Sequence, residues 1–531
     1  MRKTKLFFTN ALLLSGVNIL IRLISVSFNA FIAVKVGEEC MGLFTLVTSV
    51  YGLAVTFATS GVSLAVVSLV SGILAKAEKN GEDPPSAKLK KVMLAAVFYS
   101  LFFGALTGTV IYVFSDFIGT HLLGDARTIM SLRVFAVSLG PIAVSTALCG
   151  YFTGSRRVYK NAIVTVCEQF VKIFVIIIGL VLIAPAGIEW ACLAIVGGGA
   201  VSEAASLVSA LILYLTDKTR RGKKNVQPKS SERLGTNIRK VAALGLPVAF
   251  GSYARQGLLT AEHLAIPWGL GRYGLDKSES LAAYGVMHGM VMPLVMFPSA
   301  VLYAFAGLLV PELSECRAIG DTKRIISIGE KVFRASLLFS VCVAGIFLSF
   351  SDVIGMSMYK SPEASRQLHL IAALIPVMYL DSAVDGMLKG LGEQVYCMKV
   401  NVVDSAMCLV LVFILVPTFG IDGYIALLII SEIINASLSI MRLVKVTGLK
   451  IRVFKWMVLP FLSVLGATLI TKLILALFDI TAGMALPIAI CATVYIVFCF
   501  AFRVIKTEDF KIKLAVKKKE NICQHKEKTV A

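Results

Sequence analysis

Apolar stretches of 18 or more residues recur along the whole chain, broken by short polar segments. Stretches of that length suffice to cross a bilayer as helices, so the pattern predicts an all-α membrane protein and not a single buried core. About fourteen transmembrane helices are legible. Six run approximately Leu6–Val34, Gly42–Leu74, Val92–Phe117, Ile129–Phe152, Ala162–Ala184 and Ile188–Leu215. Six more run near Val241–Leu270, Ala282–Val310, Val332–Phe350, Leu368–Leu391, Val400–Val416 and Ile421–Leu443. Two others, Phe454–Leu477 and Met484–Phe502, close the series.

The first twelve fall into two similar sets. Gly150 to Gly154 reads GYFTG, with Glu168 fourteen residues later; Gly386 to Gly390 reads GMLKG, with Asp404 fourteen residues later. Ser60–Gly81 aligns without a gap on Ser299–Gly320, and the acid-tipped turn Pro185–Glu189 (PAGIE) corresponds to Pro417–Asp422 (PTFGID). The expectation is two parallel six-helix repeats plus two extra helices. Six is even, so both halves enter the membrane from one side and are related by an axis along its normal. Repeats of this kind are a common build of secondary transporters, with the substrate site between them. Expected boundaries are a first bundle at 1–216, a basic linker at 217–240, a second bundle at 241–447, two added helices at 448–503 and a basic tail at 504–531.

Composition agrees: 57% of residues are hydrophobic and 16% charged, far from a soluble average. The net charge of +20 is unevenly placed. With both termini inside, about 40 of the 52 Lys and Arg fall in inner segments, as the positive-inside rule requires. They include Lys76–Lys91, Arg156, Arg157, Lys160, the Lys218–Lys240 loop and the Lys511–Lys519 tail. Both termini are therefore expected in the cytoplasm. Because these charges flank spans, they argue against a nucleic-acid partner. The MRKTK start imitates a secretory signal, but Arg22 interrupts an apolar stretch too long for one.

Absent motifs exclude several chemistries. The eleven cysteines are scattered, with no CxxC pair and no Cys/His ligand spacing, so neither a metal site nor a disulfide frame is expected. There is no GxxxxGK[ST] phosphate loop and no Asp-x-Asp. The five histidines (His121, His263, His288, His369 and His525) are dispersed. The reading is a non-enzyme without cofactor, driven by an ion gradient, the membrane potential or the substrate gradient itself.

Three stretches carry a family resemblance: GYFTG…RR…CEQ…K at Gly150–Lys172, AGIEWACLAI…SEAASL at Ala186–Leu207, and FGIDGYIALLIISE at Phe419–Glu432. They resemble the repeated signature of the multidrug/oligosaccharidyl-lipid/polysaccharide exporter superfamily. Within it, the chain looks like the stage V sporulation protein B branch of polysaccharide biosynthesis proteins, near lipid II flippases. The resemblance covers nearly the whole chain. It implies a V-shaped pair of bundles, with a central cavity, that moves undecaprenyl-pyrophosphate-linked sugars to the outer leaflet of a bacterial inner membrane. The last two spans would then supply a groove for the lipid tail.

Charges inside a bilayer cost roughly 2.5–3.5 kcal/mol each and are functional candidates by default. Arg22 and Arg255 lie mid-span in the first helix of each half, 15 residues before Gly37 and 14 before Gly269. Equal depth would let both face one cavity, where guanidinium forks grip phosphate oxygens at any accessible pH. In flippases of this resemblance a first-helix arginine is associated with the head group, which matches Arg22. Glu262 and His263, two turns beyond Arg255, would extend the polar lining toward the outer mouth or sit at the membrane interface beside Pro267. Asp381 and Asp385 share a helix face and are candidates for a coupling cation or proton, with a Lys389 ion pair as the alternative for Asp385. Glu168 and Lys172, Asp404, and the Ser-Glu steps at Glu203 and Glu432 read as structural braces. Pro141, Pro247, Pro293, Pro298 and Pro376 are expected to kink helices. The rival functions are a cation-coupled multidrug extruder of the same superfamily, a membrane enzyme of saccharide assembly, and a non-transporting scaffold for cell-wall or spore assembly.

Overall fold

The computed structural model describes residues 2–80, 86–221, 234–449, 454–477 and 483–502. The part of the expected linker at 222–233 and the tail from 504 onward lie outside them. The first half comprises α1 (Arg2–Thr59), α2 (Val62–Lys79), α3 (Ser86–Val113), the single turn α4 (Ser115–Phe117), α5 (Ile129–Gly154), α6 (Val158–Leu182) and α7 (Ile188–Arg221). The second comprises α8 (Leu234–Tyr273), α9 (Lys277–Tyr284), a π-helical segment (Gly285–Val291), α10 (Met292–Met296), α11 (Ser299–Ile319), α12 (Thr322–Tyr359), α13 (Pro362–Ala372), α14 (Ile375–Gly390) and α15 (Gln394–Thr447). The added pair is α16 (Leu459–Leu477) and α17 (Ala485–Ala501), packed on each other and on α12.

The architecture is all-α, but span and helix do not correspond one to one. Among the described residues eight helices are long and apolar enough to cross a membrane, or nine when α13 and α14, bent by 59°, count as one span. Two expected spans merge in α1, whose only break is Gly37 at φ 81°, and two merge in α15 at Gly420, φ 63°. Glycine has no Cβ to oppose a positive φ, so it reverses the chain without a loop. Other expected spans are divided. Gly42–Leu74 is cut at Ser60–Gly61, and Ala282–Val310 passes through the π segment and a break at Pro298. Of the expected kinks, Pro141 and Pro247 are inside helices, whereas Pro298 precedes α11, and Pro293 and Pro376 stand in first turns. A missing N–H costs nothing where a helix truly begins, as at Pro376; Pro293 instead follows the π segment without a break.

Because successive spans alternate direction, the turns at Gly37, Asp125, Gly187, Gly274, Lys360 and Gly420 share one end of the molecule. This is the acidic end, carrying Glu38, Glu39, Asp116, Asp125, Asp276 and Asp422. The turns at Asn80, Arg156, Gly320 and Gly392 share the other, basic end.

Each half's first helix leans on the other half. At the acidic end Gly42 of α1 meets the Leu281 carbonyl, and Gly285 meets Glu38 and Gly42 so closely that a Cβ at either glycine would overlap backbone. Asn29 donates to the Gly289 carbonyl at 2.6 Å. At the basic end α8 packs on α1, α2 and α3, with Gly245 against the Ser60–Gly61 turn and Tyr253 hydrogen-bonded to Ser60 at 2.6 Å.

The repeat is visible in detail at the basic end. Gly150 and Gly154 of α5 press on Ser63, Val66, Val67 and Val70 of α2, while Gly390 of α14 presses on Val310 and Leu313 of α11. Two residues past each motif the backbone turns left-handed, at Arg156 (φ 59°) and Gly392 (φ 74°). The next residue starts an ion pair: Arg157 with Asp217 in the first half, Glu393 with Arg442 at 2.7 Å in the second. Lys160 and Tyr151 also bond Asp217, at 3.1 and 3.2 Å, and the Arg442 guanidinium lies 5.0 Å above the Tyr396 ring. The two clamps start at matching positions and reach partners about one turn apart on corresponding helices, with opposite polarity.

Candidate functional site

Arg22 is half-buried in α1 and has no carboxylate within ion-pair distance among the described residues. Seven residues separate it from Asn29, so both share a helix face. That face meets the second half, because Asn29 bonds Gly289. Arg255 is exposed on α8 and acts electrostatically on Asp404 of α15, without closing to an ion pair. The two arginines thus have different surroundings. Their depths differ as well. The chain reversal after α8 is at Gly274 (φ 116°), and Gly269 is mid-helix against Val416. Arg255 therefore stands 19 residues from its turn against 15 for Arg22, a difference of about 6 Å along a helix.

Acidic side chains gather inside each bundle. In the second, Asp404 accepts from Ser431 at 2.6 Å, and Asp381 accepts from Asn435 at 3.3 Å with its other oxygen buried and unpartnered. Asp404 and Asp381 both act electrostatically on Glu432. Asp385 ion-pairs with Lys389 at 2.5 Å one turn along the same face, and both act electrostatically on Asp381. In the first bundle Glu168 accepts from Ser206 and faces Lys172 and Glu203. No three His, Cys, Asp or Glu residues converge tightly enough to hold a metal ion among the described residues.

Glu262 and His263 belong to a polar cluster that continues beyond α8. Glu262 is buried and accepts from Tyr424 of α15 at 3.5 Å. The Tyr424 hydroxyl lies 2.8 Å from Nε2 of His288 in the π segment. The His288 and His263 rings meet edge to face with centroids 4.5 Å apart, and Nδ1 of His263 lies 3.0 Å from the Tyr284 hydroxyl. Sequence reasoning left His288, Tyr284 and Tyr424 aside. The i, i+4 placement of Tyr284 and His288 on one face was the available signal.

A third group joins the halves at the acidic end. Arg127 pairs with Asp125 at 2.7 Å and with Glu39 at 2.9 Å; Lys277 of the second half reaches Asp125 at 3.3 Å and Ser278 donates to Glu39 at 2.7 Å. Ser361 donates to Glu38.

An internally duplicated helical bundle with ionisable groups between and within its halves is the build of a secondary transporter. The chain belongs to the polysaccharide biosynthesis protein family, which it matches over residues 7–317. It is 23% identical to stage V sporulation protein B of Bacillus subtilis strain 168 over 513 residues, covering 95% of this chain and 97% of that one. Its fold matches the lipid II flippase MurJ in an inward closed conformation (TM-score 0.65, 14% identity, 92% of this chain and 98% of that one). It also matches an inward-facing multidrug resistance MATE family transporter (TM-score 0.62, 12% identity, 81% and 99%). These likenesses fit the multidrug/oligosaccharidyl-lipid/polysaccharide exporter superfamily, near the lipid II flippases.

Proposed function

We propose that the protein is a flippase that moves an undecaprenyl-pyrophosphate-linked saccharide, a peptidoglycan or other cell-envelope precursor, from the inner to the outer leaflet by alternating access. Family membership and the relatives' names support the lipid-linked class of substrate. The observation that carries the reading is Arg22: a permanent cation at mid-span, without a carboxylate partner among the described residues, on the face turned to the other half. A guanidinium held at bilayer depth without a counter-charge is costly, so an anionic guest is its natural counter-ion. Arg255, beside open space next to Asp404, would take the second phosphate or the reducing-end sugar, with Glu262 and His263 bordering it. Asp381, buried beside Asn435 and Ser439 without a cation partner among the described residues, is the residue of choice for a coupling cation or proton. In this reading the acidic end is extracellular and both termini are cytoplasmic, as the basic loops require.

The test is reconstitution in liposomes with a fluorescent undecaprenyl-pyrophosphate sugar and a quencher confined to one leaflet. Translocation that fails in Arg22→Ala but persists in Lys389→Ala supports the reading; equal rates in liposomes with and without protein would sink it. The acid-rich interior of the second half favours one rival, a cation-coupled extruder. Efflux of a cationic dye in the same liposomes, with no movement of the lipid, would select that rival.

A further inference from the structure

The Glu262–Tyr424–His288 cluster sits where the second half meets the first, and only its Glu262–His263 edge borders the site proposed for the substrate. The π segment carrying His288 is pinned to α1 on one side, through Asn29 on Gly289 and through Met41 and Thr45 packed at Gly289. On the other side Tyr359 donates to the Met290 carbonyl at 2.9 Å. A π turn is rare and disfavoured on its own, and is found most often at functional sites. Here it places an imidazole against a phenol that itself reaches a buried carboxylate. The charged neighbours are Arg255 on the same helix as Glu262 and Asp404 on α15, which offset each other. Tyr284 and His263 complete the surroundings.

We propose that these residues form a proton-binding site, holding one proton shared among Glu262, Tyr424 and the His263–His288 pair, whose occupancy is linked to closure of the acidic end. The charge count gives the direction. Without the proton the cluster carries one negative charge; with it, the cluster is neutral whichever atom holds the proton. A second proton would leave the cluster with a net positive charge in a poorly hydrated site, and a third would charge both imidazoles, whose rings are 4.5 Å apart; both are disfavoured there. When Glu262 is ionised, the Tyr424 hydroxyl donates to it and its oxygen accepts from Nε2–H of His288. A proton arriving at Nδ1 of His288 therefore makes an imidazolium facing a carboxylate through one phenol. The neutral state suits a closed, dry seam between Gly42 and Gly285, and the anionic state suits a hydrated, open one. Proton binding and closure thus reinforce each other. The site deepens the transport reading by linking a proton to closure of the acidic end, apart from the gradient coupling proposed for Asp381, and its test requires no substrate.

The experiment is hydrogen–deuterium exchange of the full chain in lipid nanodiscs, corrected for the intrinsic effect of pH on amide exchange. It reads the amides of 285–291 and 38–45 between about pH 6 and pH 8, a range that spans neutrality. Wild type is expected to lose protection as pH rises, by at most about tenfold per pH unit for a single linked proton. Glu262→Gln, neutral at every pH, should stay protected throughout, and Tyr424→Phe should flatten the response. Protection in wild type that ignores pH, or a response that survives unchanged in whichever variant folds, would overturn the proposal. Loss of lipid translocation with this response intact would remove the flippase reading and leave the proton site standing.

Discussion

Lys277 Nζ stands 3.3 Å from Asp125 Oδ2, and that contact ties the second half to the first across the acidic end. The partners contribute unequally. Asp125 is almost fully buried and is also held by Arg127, whereas Lys277 is more than half exposed.

Asp125→Ala should therefore cost about 2 kcal/mol, for the lost charge-assisted hydrogen bonds from Arg127, which keeps Glu39 as partner. Lys277→Ala should cost under about 1 kcal/mol. Thermal unfolding in detergent measures both. Burial alone would raise the Asp125 carboxyl, but the hydrogen bonds and charge of Arg127, aided by Lys277, hold it below the ordinary carboxylate range. A depressed acid contributes stability above its unfolded value of 3.8 and loses it as pH falls through the folded value. The acidic end should thus loosen below about pH 4, a window separate from any histidine titration, and Asp125→Asn should abolish that step.

Arg22→Lys keeps a positive charge but loses the planar fork. If the fork grips phosphate, translocation should fall at least about tenfold while the melting temperature is unchanged. Wild-type rates in Arg22→Lys would reduce the role to simple charge.

Asp381→Asn removes a charge where one oxygen has no partner, and asparagine can still accept from Asn435. We expect the fold to survive and the dependence of transport on an imposed cation or proton gradient to disappear. A variant as gradient-dependent as wild type would exclude Asp381 from coupling.

Gly61 has φ 68°, and a Cβ there would lie 2.5 Å from the Gly245 carbonyl oxygen. Gly61→Ala combines strain with a clash against backbone, so a loss of about 2 kcal/mol is expected. Gly257→Ala, with nothing within 4 Å of its Cβ, is the control and should be neutral or slightly stabilising. Comparison of their melting temperatures decides the matter.

What the sequence made legible follows from distance along the chain. The repeat, the spans and the Asp385–Lys389 pair depend on spacing within a segment, and spacing is written in the sequence. Asn29 with Gly289, Glu39 with Arg127 and Ser278, and His288 with Tyr424 join residues far apart, and no periodicity announces them. Glu262 and His263 were legible as polar residues on the face of Arg255. Their connection to the π segment was not, because a π turn has no residue signature in an apolar run. Equal depth for Arg22 and Arg255 did not hold, because Gly269 is a packing glycine and the reversal comes at Gly274.

The inverted polarity of the Arg157–Asp217 and Glu393–Arg442 clamps bears on how a duplicated chain assembles itself. Two similar halves share span order and glycine contacts, so each could dock a strange partner from its twin. Exchange would set Arg157 beside Arg442 and Glu393 beside Asp217, repelling at both places. The newborn amino-terminal bundle can therefore seal itself before its sibling leaves the ribosome, and the two sort by sign where shape alone would leave them interchangeable.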